Sequence, residues 1–154
     1  MTQKERLTKC VVEYLDSQGL HYRPLGDDGN AFEFGMNIHG KLQSVREVVV
    51  AADTEIQAFA VSPISADEKA RANVAEFITR VNYSMKIGKF EMDYDDGMVR
   101  YYCCLPCTEG EPSMSDVERV IDIPFIVMKR YGDGLVKNMM GFGNPKADIE
   151  EIEE

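Results

Sequence analysis

The residues in this 154-residue chain whose spacing most resembles a chemical site are its cysteines. Cys104-Leu-Pro-Cys107 has the two-residue gap of a redox pair or of half a zinc site, and Cys103 stands beside it. Redox pairs of this form usually open a helix, whose dipole lowers the thiol pKa. Here the pair leaves a strand-like run and enters a Gly/Pro loop. A tetrahedral zinc site needs four ligands, and Cys10, His21 and His39 offer no second paired spacing. Three of the four cysteines crowd one strand end, unlike a secreted disulfide framework, so reduced thiols in a cytoplasmic protein are the simpler reading. A thiol-dependent redox or metal-binding role for Cys103, Cys104 and Cys107 stands as the alternative.

Other reactive types carry weaker signals. His21 and His39 adjoin turns and have no Ser or Cys at a nucleophile spacing. Asp27, Asp28, Asp95 and Asp96 lack the alternating oxygen donors and closing Glu of a calcium loop, and turn chemistry explains them. Gly132-Asp-Gly134 and Gly141-Phe-Gly143 lack the Lys-Ser/Thr of a phosphate loop and read as helix-end punctuation. No catalytic, cofactor or metal residue is assigned. Methionines and aromatics are more suggestive. Phe125, Met128, Tyr131, Leu135, Met139, Met140 and Phe142 would give the last helical region a pliable apolar surface for a protein partner or a dimer seam, with core filling the stronger reading for Met128.

The balance of the chain excludes several classes. Net charge is −10, and no Lys/Arg cluster makes a positive stripe, so direct nucleic-acid binding is disfavoured. The longest apolar run, Val48 to Ala52, is far too short to span a bilayer, and no charged region followed by an apolar run marks a leader. Hydrophobic residues at 44% and charged residues at 29% fit an ordinary globular domain.

Several elements must position these residues. Thr2-Gln-Lys-Glu5 has the form of a capping box, followed by a helix with Leu7, Val11, Tyr14 and Leu15 on one stripe and Gly19 as its stop. His21 to Leu25 predicts a short edge strand, and Gly26 to Asn30 a turn. Phe32, Phe34, Met36 and Ile38 alternate as a half-buried strand, His39-Gly40 turns the chain, and Val45–Ala52 and Ile56–Val61 complete a meander. Ser65-Ala-Asp-Glu68 predicts a second capping box. The helix after it carries Ala70, Val74, Phe77, Ile78, Val81 and Met85 on one face, with Gly88 at its end. Asp96-Gly97 predicts a two-residue hairpin pairing Tyr94 with Val99, Met92 with Tyr101 and Phe90 with Cys103 on the core face, and Asp93 with Arg100 on the wet one. Ser115-Asp-Val-Glu118 predicts a third capping box. Pro124 predicts a kink or break near Ile123, and a weaker helical piece reaches about Met140. Asn144-Pro145 could cap one more turn ahead of an acidic tail.

The order α-β-β-β(-β)-α-β-β-α predicts an α+β fold with an antiparallel sheet flanked by helices, a single domain over 1–144 and a tail over 145–154. RVNYSMKIGKFEMDYDDGMVRYY, Val45-Arg-Glu-Val48, Pro63 ahead of the second helix, and the closing YGDGLVKNMMGFGNP resemble the YbjN-type family of bacterial sensory transduction regulators. The likeness spans most of Leu7 to Pro145. It implies a fold similar to type III secretion chaperones, a homodimer, another polypeptide as client, and no catalytic residues. Cys103-Cys104 and the acidic tail depart from the family pattern. The expected function is therefore a non-enzymatic, chaperone-like or regulatory protein-binding module.

Overall fold

Thr2 opens the first helix through its capping box. Its hydroxyl accepts from the Glu5 amide at 3.1 Å, while the Glu5 carboxylate accepts from the Thr2 amide at 3.0 Å. The computed structural model describes all residues, 1–154. Helix α1 spans Gln3–Ser17 and buries Leu7, Cys10, Val11, Tyr14 and Leu15, the stripe set by the helical period. Gly19 stops it at φ 64°.

Strands β1 (Arg23–Pro24), β2 (Ala31–His39), β3 (Gln43–Ala51) and β4 (Glu55–Val61) follow, then α2 (Arg71–Ser84), β5 (Lys89–Met92), β6 (Val99–Pro106), α3 (Met114–Met139) and α4 (Pro145–Glu153). The strands form one open sheet in the order β1-β2-β3-β4-β6-β5, with every pairing antiparallel. This is the α+β arrangement that the element order predicts, with one helix more. Phe34, Val45, Val49, Ile56, Ala58, Ala60, Val99, Tyr101 and Cys103 point to one face and join residues of α1, α2, α3 and α4 in a single cluster of 33 buried residues. Helix α3 runs across β2, β3, β4 and β6, with α1 against β3 and α2 against β5.

The structure corrects five local expectations. The β5–β6 hairpin pairs Met92 with Val99, Phe90 with Tyr101 and Glu91 with Arg100, two residues from the predicted register. Asp93 and Met98 close a four-residue loop, in which the Asp93 carboxylate accepts from the Asp95 amide and the Asp96 carboxylate from the Met98 amide. Those aspartates satisfy backbone amides that a two-residue turn would have paired across strands. A shift of two preserves parity, so Phe90 and Tyr101 still face the core.

Neither later capping box forms. Ala66 is held extended by its amide donating to the Gly97 carbonyl at 2.8 Å, so the chain turns helical only at the 3₁₀ turn Glu68–Ala70. Ser113, not Ser115, caps α3, accepting from the Asp116 amide at 3.1 Å.

Helix α3 is unbroken through Pro124, which is itself buried among core residues. Gly132 and Gly134 lie inside α3 rather than at an end. A Cβ on Gly132 would sit 3.0 Å from Leu42, and one on Gly134 would sit 2.8 Å from Ile152 and 3.1 Å from the Phe77 ring. Tertiary packing of α3 against its neighbours outweighs about 3 kcal/mol for proline and 1 kcal/mol per glycine.

The acidic segment expected as a tail is α4. Asn144 caps it, and Asp148 accepts from the Asn144 amide at 2.9 Å and from the buried Asn138 amide group at 3.1 Å. Asn73 donates to Asn138 and to the Gly143 carbonyl, so a closed polar network holds α4 to α2 and α3 while Ile149 enters the core.

Candidate functional site

The thiols do not converge. Cys103 and Cys104 are consecutive on β6 and therefore point to opposite faces, Cys103 into the core and Cys104 to solvent. Burial pushes the Cys103 thiol up to about 12. Partial burial, with the thiol donating a hydrogen bond to the Glu55 carboxylate at 2.8 Å, pushes Cys104 up to about 11. Burial also raises Cys10. Nucleophilic thiols need the opposite shift. Cys107 lies beyond the strand, beside the Gln3 amide group. No three His, Cys, Asp or Glu side chains come together as a metal site would require, and His21 and His39 are both exposed.

The methionine-aromatic surface assigned to the last helical region is mostly interior. Met128, Tyr131, Leu135 and Met139 are buried, and Phe125 is half-buried against the same core. These four cannot form a docking surface without opening the monomer, because α3 is wrapped by the sheet, α2 and α4. Met140 and Phe142 remain exposed, Phe142 at 84%. They lie at the end of the molecule where the hairpin loop meets the β4–α2 segment. There Arg71 donates to the Tyr94 and Asp95 carbonyls at 3.1 Å, and the Asp67 amide meets the Met139 carbonyl at 3.4 Å. Ile64 and Tyr94 are exposed from the same segments.

The other sheet face carries what the sequence reading missed. Cross-strand pairing sets Glu33, Val48, Phe59, Tyr102 and Lys89 in one row and Gly35, Arg46, Val61, Arg100 and Glu91 in the next. No helix residue covers them, and Val48 and Val61 stand outside the core cluster although both are buried. Their cover comes from neighbouring side chains. The Arg100 guanidinium lies 4.7 Å from the Phe59 ring centre and 5.4 Å from that of Tyr102.

Two ion clusters flank the apolar row. Glu33 accepts from Arg46 at 2.8 Å and from Arg23, and these hydrogen bonds hold its carboxyl below the usual range. Glu91 accepts from Arg100 at 2.8 Å and pairs with Lys89 at 3.4 Å. A depression of about 520 Å³ opens at the first cluster beside Tyr22 and Gly35, and one of about 330 Å³ opens at the second beside Asp93 and Met98. The available signal was that VREVVVA and QAFAV are apolar at both parities, which a strand wetted on one side does not need.

Asn82 explains why the turn after α2 is so specific. Its side chain donates to the Phe90 carbonyl at 3.0 Å and accepts from the Phe90 amide at 2.7 Å, closing the outer edge of β5. Gly88, at φ 80°, passes so close to Tyr101 and Cys103 that a Cβ would sit 2.6 Å from each.

Under the helices lies an unexpected acid. Glu47 on β3 is fully buried, and neither carboxyl oxygen has a hydrogen-bond partner. Burial holds its pKa well above the carboxylate range, with Asp122 adding to the shift. Asp122 in turn accepts from the Tyr14 hydroxyl at 2.7 and 2.8 Å, and burial raises it too.

An open antiparallel sheet with all its helices on one side, and no catalytic constellation on the other, defines an α+β domain whose distinctive surface is apolar, aromatic and cationic. The chain belongs to the YbjN family, described as a "putative bacterial sensory transduction regulator", which matches residues 10–136. It is similar in fold to the crystal structure of YbjN, "a putative transcription regulator from E. coli", with a TM-score of 0.52, 15% identity, and coverage of 93% of this chain and 92% of that one. No curated protein matches it. No helix is long and apolar enough to cross a membrane.

Proposed function

We propose that this protein is a non-catalytic regulatory or chaperone-like binding module that holds a segment of another polypeptide on its uncovered sheet face. The observation that carries the reading is the Val48–Phe59–Tyr102 row, which is apolar on the side no helix covers. Phe59 and Tyr102, the half-buried members of that row, gain free energy when covered, at roughly 25 cal/mol per Å² of apolar area removed from water. The thiol reading is weaker, since the structure separates Cys103 from Cys104 and raises both. Cytoplasmic placement is part of the same proposal, supported by the free cysteines and by the family's description as a bacterial regulator.

A photo-reactive phenylalanine at position 59, compared in cells with one at exposed Thr79 on α2, tests this. Discrete polypeptide adducts are expected from position 59, lost on Tyr102→Ser. Adducts from Thr79 alone, or equally from both, would move the binding surface off the sheet.

Homodimerisation belongs to the same proposal. Because the apolar face of α3 is spent inside the monomer, the exposed end bearing Ile64, Tyr94, Met140 and Phe142 is the better seam. Phe142→Glu is then expected to halve the mass measured by sedimentation, and an unchanged mass would exclude that end.

A further inference from the structure

We infer that the exposed end bearing Ile64, Tyr94, Met140 and Phe142 takes a basic amphipathic segment of another polypeptide. Its apolar residues cover those side chains while its cations meet the carboxylates around them. The inference goes beyond the sheet-face reading. It rests only on that end being an association surface, as the dimer seam above does, and adds the chemistry of what docks there. Three stretches build the end. The Ala66 amide donates to the Gly97 carbonyl at 2.8 Å, Arg71 donates to the Ala66, Tyr94 and Asp95 carbonyls, and the Asp67 amide meets the Met139 carbonyl. Residues 62–71, 93–98 and 139–144 therefore form one surface, from which Tyr94, Met140 and Phe142 stand out at 58%, 57% and 84% exposure. Apolar side chains gathered this way mark a place that a partner covers.

Charge decides which partner. The three stretches hold five carboxylates, Asp67, Glu68, Asp93, Asp95 and Asp96, against Lys69 and Arg71, and counting Lys146 at the start of α4 still leaves five against three. None of the five is ion-paired, and Arg71 is engaged by backbone carbonyls. The flanking Arg100–Glu91 and Lys137–Asp148 pairs cancel. The fold has no use for these charges. Asp93 and Asp96 each accept one loop amide, which an Asn would do equally, and Asp67 makes no side-chain cap bond. Asp67 also stands at the C-terminal end of α3, where the helix dipole favours a cation. Anionic lipid and nucleic-acid phosphates are repelled from such a surface. A second copy would bring its own five carboxylates across the seam, so the dimer should tighten with salt and yield to a basic segment that neutralises them.

Three labelled 16-residue amphipathic peptides with one apolar pattern, carrying Lys, Gln or Glu on the polar face, make the test by fluorescence anisotropy on the full chain. The Lys peptide is expected to bind about tenfold tighter than the Gln peptide at 50 mM salt. That advantage should largely vanish at 500 mM, and the Glu peptide should bind weakest. Asp67→Asn, Asp95→Asn and Asp96→Asn together should erase the preference, the amide oxygen at position 96 keeping the loop bond. Removing three exposed charges elsewhere, by Glu150→Gln, Glu151→Gln and Glu154→Gln, should leave the preference within about twofold. Phe142→Ser should weaken all three peptides.

A Lys preference reduced equally by the two triple variants would show attraction to net charge alone and overturn the inference. Equal binding of the Lys and Gln peptides, both lost on Phe142→Ser, would overturn the basic preference and leave the end standing as an association surface. Binding abolished by Tyr102→Ser and indifferent to Phe142→Ser would move the segment to the sheet face, overturning this inference and supporting the earlier reading. In sedimentation, saturating Lys peptide should leave one chain per particle. A dimer that persists with the peptide bound would overturn the seam at this end and leave the docking site in place.

Discussion

Glu47 makes the most exacting test of how this core is built. Its carboxyl is fully buried on β3, has no hydrogen-bond partner, and faces only acidic or thiol groups: Tyr14 from α1, Asp122 from α3 with Glu118 behind it, and Cys103 from β6. No cation reaches it, so the folded protein keeps it protonated. The unfolded chain releases that proton above its ordinary value of 4.5. The stability tied to Glu47 is therefore fully present below about pH 4.5 and is lost as pH rises toward the elevated folded value, at about 1.4 kcal/mol per pH unit. Over the pH range above 4.5 in which the folded carboxyl stays protonated, the wild type should lose stability relative to Glu47→Gln, which cannot ionise. Glu47→Met fills nearly the same volume without a polar atom and should exceed the wild type near neutral pH by about 1–4 kcal/mol. Urea unfolding of the three proteins from pH 5 to 8 measures this directly. Because Asp122 and Tyr14 are present in all three, their own titrations largely cancel in the differences. A wild-type-minus-Gln difference independent of pH, or a methionine variant weaker throughout, would refute the reasoning by showing that Glu47 is ionised and partnered.

Other outcomes follow from the packing. In thiol titration at pH 8, Cys10 and Cys103 should react only in denaturant. Glu55→Gln should speed the reaction of Cys104, since removing that carboxylate lowers the thiol toward its ordinary range. Gly134→Ala should destabilise by about 1–2 kcal/mol despite better helix propensity, because Ile152 and the Phe77 ring block its methyl. Gly132→Ala, which meets only the flexible tip of Leu42, should be near neutral by the same urea assay. Ile149→Ala should cost about 2 kcal/mol if α4 is part of the core, and nothing if residues 145–153 were a free tail.

Local pattern alone determined much of this protein. The Thr2 capping box, the stripes of α1 and α2, the alternation of Phe32 to Ile38 and the segregated order of strands and helices were all legible, because each depends on neighbours within one or two turns of chain. The family resemblance was legible for the same reason, Asn82 and Gly88 being close in sequence to the Phe90 backbone they serve. Tertiary structure decided the rest. Pro124, Gly132 and Gly134 read as breaks in α3, yet Leu42, Phe77 and Ile152 fill the space they leave, and no local rule could supply those partners. The hairpin register turned on two aspartates bonding their own loop. The acidic segment became α4 only because Asn73 and Asn138, far away in sequence, complete the hydrogen bonds of Asp148. The candidate surface needed the sheet order itself. Val48, Phe59, Tyr102 and Arg100 lie on three strands, and only the pairing of β3 with β4 and β4 with β6 sets them side by side.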